Sequence, residues 1–122
     1  MDRVILHCDL NCFYASVELL SHPELRTVPM AVCGDPASRH GIILAKNEPA
    51  KKFGVQTAET IWQARKKCPD LVLLPAHHGK YREFSHRVNA LYQEYTDLVE
   101  PFGIDESWLD VTGTWQLFAE SP

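Results

Sequence analysis

The sequence predicts an α+β fold with a mixed or antiparallel sheet, and two observations lead to this prediction. Short apolar runs typical of strands alternate with segments in which apolar residues recur every three or four positions, as in amphipathic helices. In chain order these segments read β-α-β-β-α-α-β-α-β-β. The length of 122 residues, with 45% hydrophobic and 23% charged residues, suits one globular domain or part of one.

The first predicted strand, residues 3–8, is apolar on both faces apart from His7, which is typical of a central strand covered on both sides. It ends in Asp9, where α/β sheets usually place their chemistry, although a plain helix N-cap is the alternative. A helix is predicted over residues 11–20 and is stopped by Pro23. Its free N–H groups at the start could hold phosphate oxygens. Its inward positions follow helical spacing: Phe13, Val17 and Leu20.

The next part of the chain predicts a hairpin and a short helix. Strands over residues 28–34 and 41–45 are expected to pair around a turn at residues 35–38. A short helix follows over residues 48–53, and Gly54 closes it as the residue just beyond its C-terminal cap. These elements have the lengths of ordinary strands and helices in small domains.

Two further helices frame a strand. Thr57 is predicted to open a helix over residues 58–67, and a strand follows over residues 71–75. The inward residues of this helix are Ile61, Ala64 and Cys68. The longest helix runs from about residue 78 to residue 97. Its predicted buried stripe consists of Tyr81, Phe84, Val88, Leu91 and Tyr95.

Asp105 and Glu106 lie side by side near the bend of a predicted hairpin with strands at residues 97–99 and 108–111. Adjacent carboxylates repel each other, and a divalent metal ion is the commonest reason for such a pair. A polar hairpin turn is the alternative. Together with Asp9, three acids on neighbouring strand ends form the minimum set for a two-metal site that clamps a phosphoryl transfer.

The composition restricts the compartment and the partners. The sequence contains neither an apolar run of about 20 residues nor a signal-peptide pattern, so a cytoplasmic location without a membrane partner is expected. The four cysteines fit no zinc-binding spacing and are expected to be free thiols. The net charge of −4 argues against a self-sufficient nucleic-acid binder.

Three motifs resemble those of a known family. Residues 9–18 resemble the opening motif of the Y-family translesion DNA polymerases, of the ImpB/MucB/SamB type. Residues 47–55 resemble their fingers motif, and residues 104–110 resemble their palm acid motif. All three occur in the family's order and at its intervals, and the resemblance is closest to the DinB, or polymerase IV, branch. It implies a partial polymerase palm at residues 1–10 and 76–122, backed by helices, with a small inserted fingers subdomain at residues 11–75.

The resemblance also implies roles for individual residues. Two Mg²⁺ ions, with Mn²⁺ as a substitute, would be bound by Asp9, Asp105, Glu106 and the backbone carbonyl of Leu10. Asp105 and Glu106 would be the catalytic acids. Tyr14 would be the steric gate that lies under the sugar of the incoming nucleotide and excludes a 2′-hydroxyl. The residues implied at the triphosphate are Asn11, Cys12, Phe13 and Lys51, with Phe13 equally well explained as a core aromatic.

The chain departs from the family pattern at several positions. Glu48 stands where the family usually has a Tyr that touches the triphosphate, and Lys51 stands where it usually has an Arg. Lys is a point charge and lacks the planar fork of Arg, so bidentate phosphate recognition is lost. Lys46 and Lys52 are possible substitutes. Gly103 replaces a usual Ser, and Trp108 replaces a usual Tyr.

The resemblance implies a DNA-directed DNA polymerase that acts in translesion synthesis and DNA repair, with primer–template DNA and deoxynucleotides as substrates. The sequence is expected to be truncated at its C-terminus. The missing regions would hold the DNA grip and any contact with a sliding clamp. The 122 residues alone are therefore expected to bind DNA weakly and to be inactive. The alternatives are a nucleotidyl cyclase of the diguanylate type and a non-catalytic interaction module that retains the fold.

Overall fold

A computed structural model describes residues 2–37 and 41–122. The chain divides into two compact units: Met1–Leu10 together with Gly79–Pro122, called the first unit below, and Asn11–His78, called the second unit. In the part of the chain that is described, no helix is long and apolar enough to cross a membrane. The predicted turn at residues 35–38 is described only up to residue 37, and its last residue lies outside the described ranges.

The observed order of strands and helices is the predicted one, and the α+β class is confirmed. In chain order the elements are β1 (Ile5–Asp9), α1 (Phe13–Ser21), β2 (Met30–Cys33), β3 (Ile43–Lys46), α2 (Glu48–Lys52), α3 (Ile61–Lys67), β4 (Val72–Pro75), α4 (His78–Tyr92), β5 (Val99–Pro101) and β6 (Glu106–Asp110). Two short 3₁₀ helices lie at Pro23–Leu25 and Trp115–Leu117. The strands form two three-stranded sheets, one in each unit.

The second unit contains a mixed sheet with the order β3-β2-β4. Strand β2 pairs antiparallel with β3, as the predicted hairpin requires, and parallel with β4. Every residue of β2 is buried, as expected for the central strand of a covered sheet. The core of this unit is a cluster of nine buried residues: Ala31, Cys33, Ile43, Ala50, Val55, Ile61, Ala64, Cys68 and Leu71. The predicted inward face of α3 is therefore confirmed.

Two helices of the second unit differ locally from the prediction. In α1, Phe13 and Val17 are buried, but Leu20 is exposed, and the buried polar residue Glu18 lies on the inward face instead. Helix α3 is capped by Thr60 and not by Thr57. The Thr60 hydroxyl accepts a hydrogen bond from the Gln63 N–H, and the Gln63 side chain accepts one from the Thr60 N–H. This capping box starts the helix three residues later than the prediction.

The first unit contains an antiparallel sheet with the order β1-β6-β5. The prediction that β1 is a central strand covered on both sides is wrong. Strand β1 is an edge strand, and its residues are exposed except for the half-buried Cys8. An apolar run indicates that a strand can be buried, but the number of strands that pair with it is decided by distant segments.

Helix α4 is shorter than predicted. It ends at Tyr92, whereas the apolar pattern predicted a helix to about residue 97. Tyr81 is fully buried, and Phe84 and Val88 are half-buried, but Leu91 and Tyr95 of the predicted stripe are exposed. Two polar residues, Ser85 and Asn89, share the half-buried side of the helix and contact the loop before β6 and β6 itself. Strand β5 begins two residues later than predicted.

Candidate active site

The ladder between β1 and β6 brings the three predicted acids to one end of the sheet. Asp9, the last residue of β1, is the register partner of Glu106, the first residue of β6. The Leu10 N–H donates a hydrogen bond of 2.9 Å to the Asp105 carbonyl, which extends the ladder by one step. Asp9 is distant in sequence from the consecutive residues Asp105 and Glu106, and the fold makes the three adjacent. The expectation that the acid hairpin lies beside the first strand is confirmed.

The turn between β5 and β6 needs a glycine. Gly103 has φ +97°, in the left-handed region that residues with a Cβ avoid. The Phe102 N–H donates to the Glu106 carbonyl at 2.9 Å and closes the turn. The Ser85 hydroxyl of α4 donates to the Ile104 carbonyl. This backbone conformation favours Gly at position 103 over a residue with a Cβ.

Behind the acids, β6 is fixed to α4 by a polar chain. Ser107 is buried, and its hydroxyl donates to the Asn89 side-chain oxygen. The Asn89 amide donates in turn to the Ser85 carbonyl at 2.9 Å. Buried polar groups stabilise a fold only when they are paired, and here each of these groups has a partner. The backbone that carries Asp105 and Glu106 is therefore held from the helix side.

The Glu106 side chain lies beside a histidine that the sequence interpretation left without a role. His7 Nε2 is 3.5 Å from Glu106 Oε1. The His7 ring stacks on the Trp108 ring, with centroids 4.2 Å apart and planes inclined by 18°. The signal in the sequence was a single polar residue in an otherwise apolar strand, two positions before Asp9.

The donor chemistry fits a magnesium site, because carboxylate and carbonyl oxygens are the ligands that this ion prefers. Within residues 2–37 and 41–122, however, no three His, Cys, Asp or Glu side chains are arranged as a group that could hold a metal ion. The backbones of Asp9, Asp105 and Glu106 are adjacent, while the Glu106 carboxylate contacts His7. Metal binding would therefore require the carboxylates to turn toward one another.

In the second unit, the start of α1 has an unusual backbone. Cys12 caps the helix in the left-handed region, at φ 50° and ψ 45°. The Ser16 N–H donates to the Cys12 carbonyl at 2.7 Å, and the Ser16 hydroxyl donates to the Asn11 carbonyl at 3.2 Å. Phe13 is only 7% exposed, so its ring is a core aromatic. Half-buried Tyr14 lies next to it and meets the His78 ring edge-on at 5.9 Å.

Glu48 faces the start of α1. Its Oε1 accepts a hydrogen bond of 3.4 Å from the Asn11 side-chain amide, and the Cys12 thiol donates to the same oxygen over 3.9 Å. Burial and the nearby Glu48 carboxylate raise the pKa of the Cys12 thiol above its ordinary value, while Lys46 and Lys51 oppose this rise. Glu48, which the family resemblance places near a triphosphate, thus accepts hydrogen bonds from uncharged groups of its own unit.

The short helix α2 is anchored by a buried asparagine. The Asn47 side-chain oxygen accepts hydrogen bonds from the Ala50 N–H and the Met30 N–H, and its amide donates to the Val28 carbonyl at 2.8 Å. Lys51 and Lys52 are exposed on this helix, whereas Lys46 donates to the Thr57 hydroxyl at 3.3 Å. The exposed side chains of Lys51 and Lys52 therefore extend into solvent, where they can meet an anion.

The sequence interpretation missed a second pairing, between Glu18 and His77. Glu18 is almost fully buried, and His77 Nδ1 lies 2.8 Å from its Oε1. A buried carboxylate needs such a partner, since an unpaired one would be strongly destabilising. The partners of the adjacent histidines 77 and 78 are Glu18 and Tyr14, which are distant in the sequence, so no local pattern indicates these contacts.

Comparison with known proteins identifies the family. Residues 8–122 match the impB/mucB/samB family, and the chain belongs to it. The chain is 58% identical over 120 residues to DNA polymerase IV of Acetivibrio thermocellus, which covers 98% of this chain and 30% of that relative. It is 44% identical over 117 residues to DNA polymerase IV 2 of Bacillus subtilis, with 96% of this chain and 28% of the relative covered.

A solved Y-family DNA polymerase chimera has a similar fold, with a TM-score of 0.84 and 30% sequence identity over 88% of this chain and 32% of that chain. The chain thus spans about 30% of the length of the curated relatives that it matches. The family resemblance inferred from the three motifs is confirmed, and the cyclase alternative is not favoured.

Proposed function

We propose that this chain provides the palm and fingers part of a DNA-directed DNA polymerase that acts in translesion synthesis and DNA repair. The reaction is the attack of a primer 3′-hydroxyl on the α-phosphate of a deoxynucleotide, with pyrophosphate as the leaving group. The observation that carries this proposal is the β1–β6 register, which pairs Asp9 with Glu106 next to Asp105 in a chain of this family. The same register brings Asp9 next to two acids that are distant from it in the sequence.

Asp9, Asp105, Glu106 and the Leu10 carbonyl are proposed to bind two Mg²⁺ ions, with Mn²⁺ as a substitute. All four supply oxygen ligands, which matches the preference of these ions. A loaded site of this kind stabilises both the attacking and the leaving oxygen of a phosphoryl transfer. The hydrogen bond that Ser85 of α4 donates to the Ile104 carbonyl and the one that Ser107 donates to Asn89 of α4 support this role, because they hold the backbone of the acid pair in place.

Contacts with the nucleotide are proposed for the second unit. Tyr14 acts as the steric gate toward the sugar, as the family resemblance implies. The backbone at Asn11 and Cys12 offers donors to phosphate oxygens, and the exposed Lys51 and Lys52 supply positive charge. Phe13 supports this segment as part of the core.

Primer–template DNA and a deoxynucleotide are the proposed substrates, and a sliding clamp is a further partner of the polymerase as a whole. The chain itself has a net charge of −4, which opposes tight binding to a phosphate backbone. Weak DNA binding and little or no primer extension are therefore proposed for these 122 residues alone.

A titration with Mn²⁺ tests the metal site. Binding is measured as the decrease of the free-ion signal in electron paramagnetic resonance. Wild-type protein is expected to bind the ion, and Asp105→Asn and Glu106→Gln are each expected to abolish most of that binding. Asp97→Asn and Glu100→Gln are matched controls, because they remove exposed carboxylates from β5 and the segment just before it. Unchanged Mn²⁺ binding in Asp105→Asn would contradict the proposed function.

A further inference from the structure

Glu48 brings a negative charge from α2 to the start of α1. Its Oε1 accepts a hydrogen bond of 3.4 Å from the Asn11 side-chain amide and one from the Cys12 thiol over 3.9 Å. Helix α1 has no acidic residue in its own first turn, and the first N–H groups of a helix carry partial positive charge. The Glu48 carboxylate therefore lies at a place in the second unit where an anion is favoured.

The backbone beneath Glu48 is fixed, although its side chain is exposed. Asn47 precedes it and is buried, and its side-chain oxygen accepts hydrogen bonds from the Ala50 N–H and the Met30 N–H. The Asn47 amide donates to the Val28 carbonyl at 2.8 Å. Because these bonds tie the start of α2 to its own unit, the Glu48 carboxylate reaches α1 from an anchored position.

Two lysines share this region with Glu48. Lys46 and Lys51 are close enough to the Cys12 thiol to act on it electrostatically, as Glu48 does, and their effect has the opposite sign. Lys51 is exposed, and Lys46 donates to the Thr57 hydroxyl at 3.3 Å. Among these three charged side chains, the lysines attract an anion to the start of α1 and Glu48 opposes it.

We infer that Glu48 is an internal competitor of the nucleotide: its carboxylate occupies the Asn11 and Cys12 side-chain donors and lowers the affinity of the α1 start for a triphosphate. This inference rests on the proposed function, because that proposal assigns Asn11 and Cys12 to the triphosphate. The lowered affinity makes Glu48 a residue that sets how much nucleotide is needed to fill the site.

The competition has two physical sources. A triphosphate is negative on each of its phosphates, and two like charges about 4 Å apart weaken binding roughly fivefold even in bulk water. The Glu48 side chain can turn away through its three rotatable bonds, but it then gives up its hydrogen bonds and its place near the positive end of α1. Either route makes triphosphate binding less favourable.

The experiment measures anion binding to the full chain by isothermal titration calorimetry. The ligands are inorganic tripolyphosphate without metal ions and dATP with Mg²⁺. Glu48→Gln removes the charge at nearly constant shape, and Glu48→Asp keeps the charge but shortens the side chain. The matched control is Asp70→Asn, which removes an equal, exposed charge from the same unit, where Asp70 acts electrostatically on Cys68. Thermal unfolding midpoints check that each variant is folded.

Glu48→Gln is expected to bind tripolyphosphate about five- to tenfold more tightly than the wild type, and dATP with Mg²⁺ is expected to change in the same direction. Glu48→Asp is expected to lie between the two, because the shorter carboxylate no longer reaches Asn11 and Cys12 but stays negative. Asp70→Asn is expected to bind both ligands like the wild type. The gain of Glu48→Gln is expected to shrink as salt is added, because salt screens the repulsion.

Measurable binding with equal affinities in the wild type and Glu48→Gln would overturn the inference and leave the nucleotide contacts of the proposed function intact. An equal gain in Asp70→Asn would overturn it as well, since the effect would then belong to net charge. Weaker dATP binding in Glu48→Gln would make Glu48 a helper of the bound nucleotide and not its competitor. If Glu48→Gln does not fold, Glu48→Asp decides, and wild-type affinity in that variant overturns the inference. No binding of either ligand by any variant would remove the inference together with the proposed nucleotide contacts.

Discussion

The two units of the chain bury their apolar residues to different degrees. In the second unit a cluster of nine buried residues surrounds the sheet, with β2 completely covered. In the first unit both edge strands are largely exposed. Of the large hydrophobic side chains that are exposed among the described residues, nine lie in the first unit and four in the second. The second unit therefore has a closed apolar core, whereas in the first unit side-chain hydrogen bonds connect α4 to the sheet and to the loop before β6.

The units also differ in charge. The sequence of the second unit contains eight Lys and Arg residues and six Asp and Glu residues, whereas the first contains four and ten. The acidic balance of the chain thus arises in the first unit, which carries all three candidate metal ligands. Like charges concentrated in one unit repel each other and attract cations. This separation suits a metal-binding role for the first unit and anion contacts for the second.

The largest expected effect tests the contrast in burial. Ile43→Ala removes a fully buried side chain from the core cluster, and the cavity is expected to cost roughly 2–5 kcal/mol of unfolding free energy. Leu117→Ala, at a residue that is 76% exposed in the first unit, is expected to change it by less than about 0.5 kcal/mol. Urea denaturation measures both variants, and equal losses would show that the units are packed alike.

A smaller effect tests the helix cap of the second unit. Thr60→Ala removes the hydroxyl that accepts the Gln63 N–H and is expected to cost about 1 kcal/mol of unfolding free energy. Thr57→Ala is the matched control, because the Thr57 hydroxyl accepts a hydrogen bond of 3.3 Å from the Lys46 side chain and does not cap the helix, and it is expected to cost a few tenths of that amount. If urea denaturation gives the larger loss for Thr57→Ala, the helix begins where the sequence pattern first suggested.

The smallest expected effect is a pH dependence that belongs to the second unit. Burial alone would raise the pKa of Glu59, but hydrogen bonds from Lys67 and from the Gln56 N–H outweigh it and lower the pKa below its ordinary value. The carboxylate therefore stabilises the folded state at pH values above its unfolded pKa of about 4.3, and this contribution is lost as the pH falls through the lower folded value. Lys67 Nζ lies 2.7 Å from Glu59 Oε2.

Unfolding free energies measured between about pH 7 and pH 2 check this expectation. Wild-type protein is expected to lose more stability with falling pH than Glu59→Gln, which cannot titrate at this position. Lys67→Met is expected to show a similarly reduced loss, because it removes the partner of the charged form. If the unfolding free energies of the wild type and of Glu59→Gln change in parallel with pH, the Glu59 carboxylate makes no pH-dependent contribution to stability.

Much of the candidate site could be predicted from sequence, but its supporting contacts could not. The acid pair, its hairpin and its place beside the first strand followed from residue types and strand patterns. Ser85, Asn89 and His7 were missed, since their roles depend on which residues face them across the sheet. The only indication in the sequence that His7 has a role was its position as a lone polar residue in an apolar strand. The Thr60–Gln63 capping box was visible as a local pattern and could have corrected the start of α3.

The sequence by itself determined the order and type of the elements and the end of α3 before Pro69, and it indicated the three candidate acids. These features depend on interactions within a few residues, such as apolar periodicity, proline geometry and glycine turns. Only the tertiary structure decided that β1 is an edge strand, that Glu48 binds Asn11, and that His7 lies between Trp108 and Glu106. Those features depend on strand register and on pairings between distant residues, which local patterns do not encode.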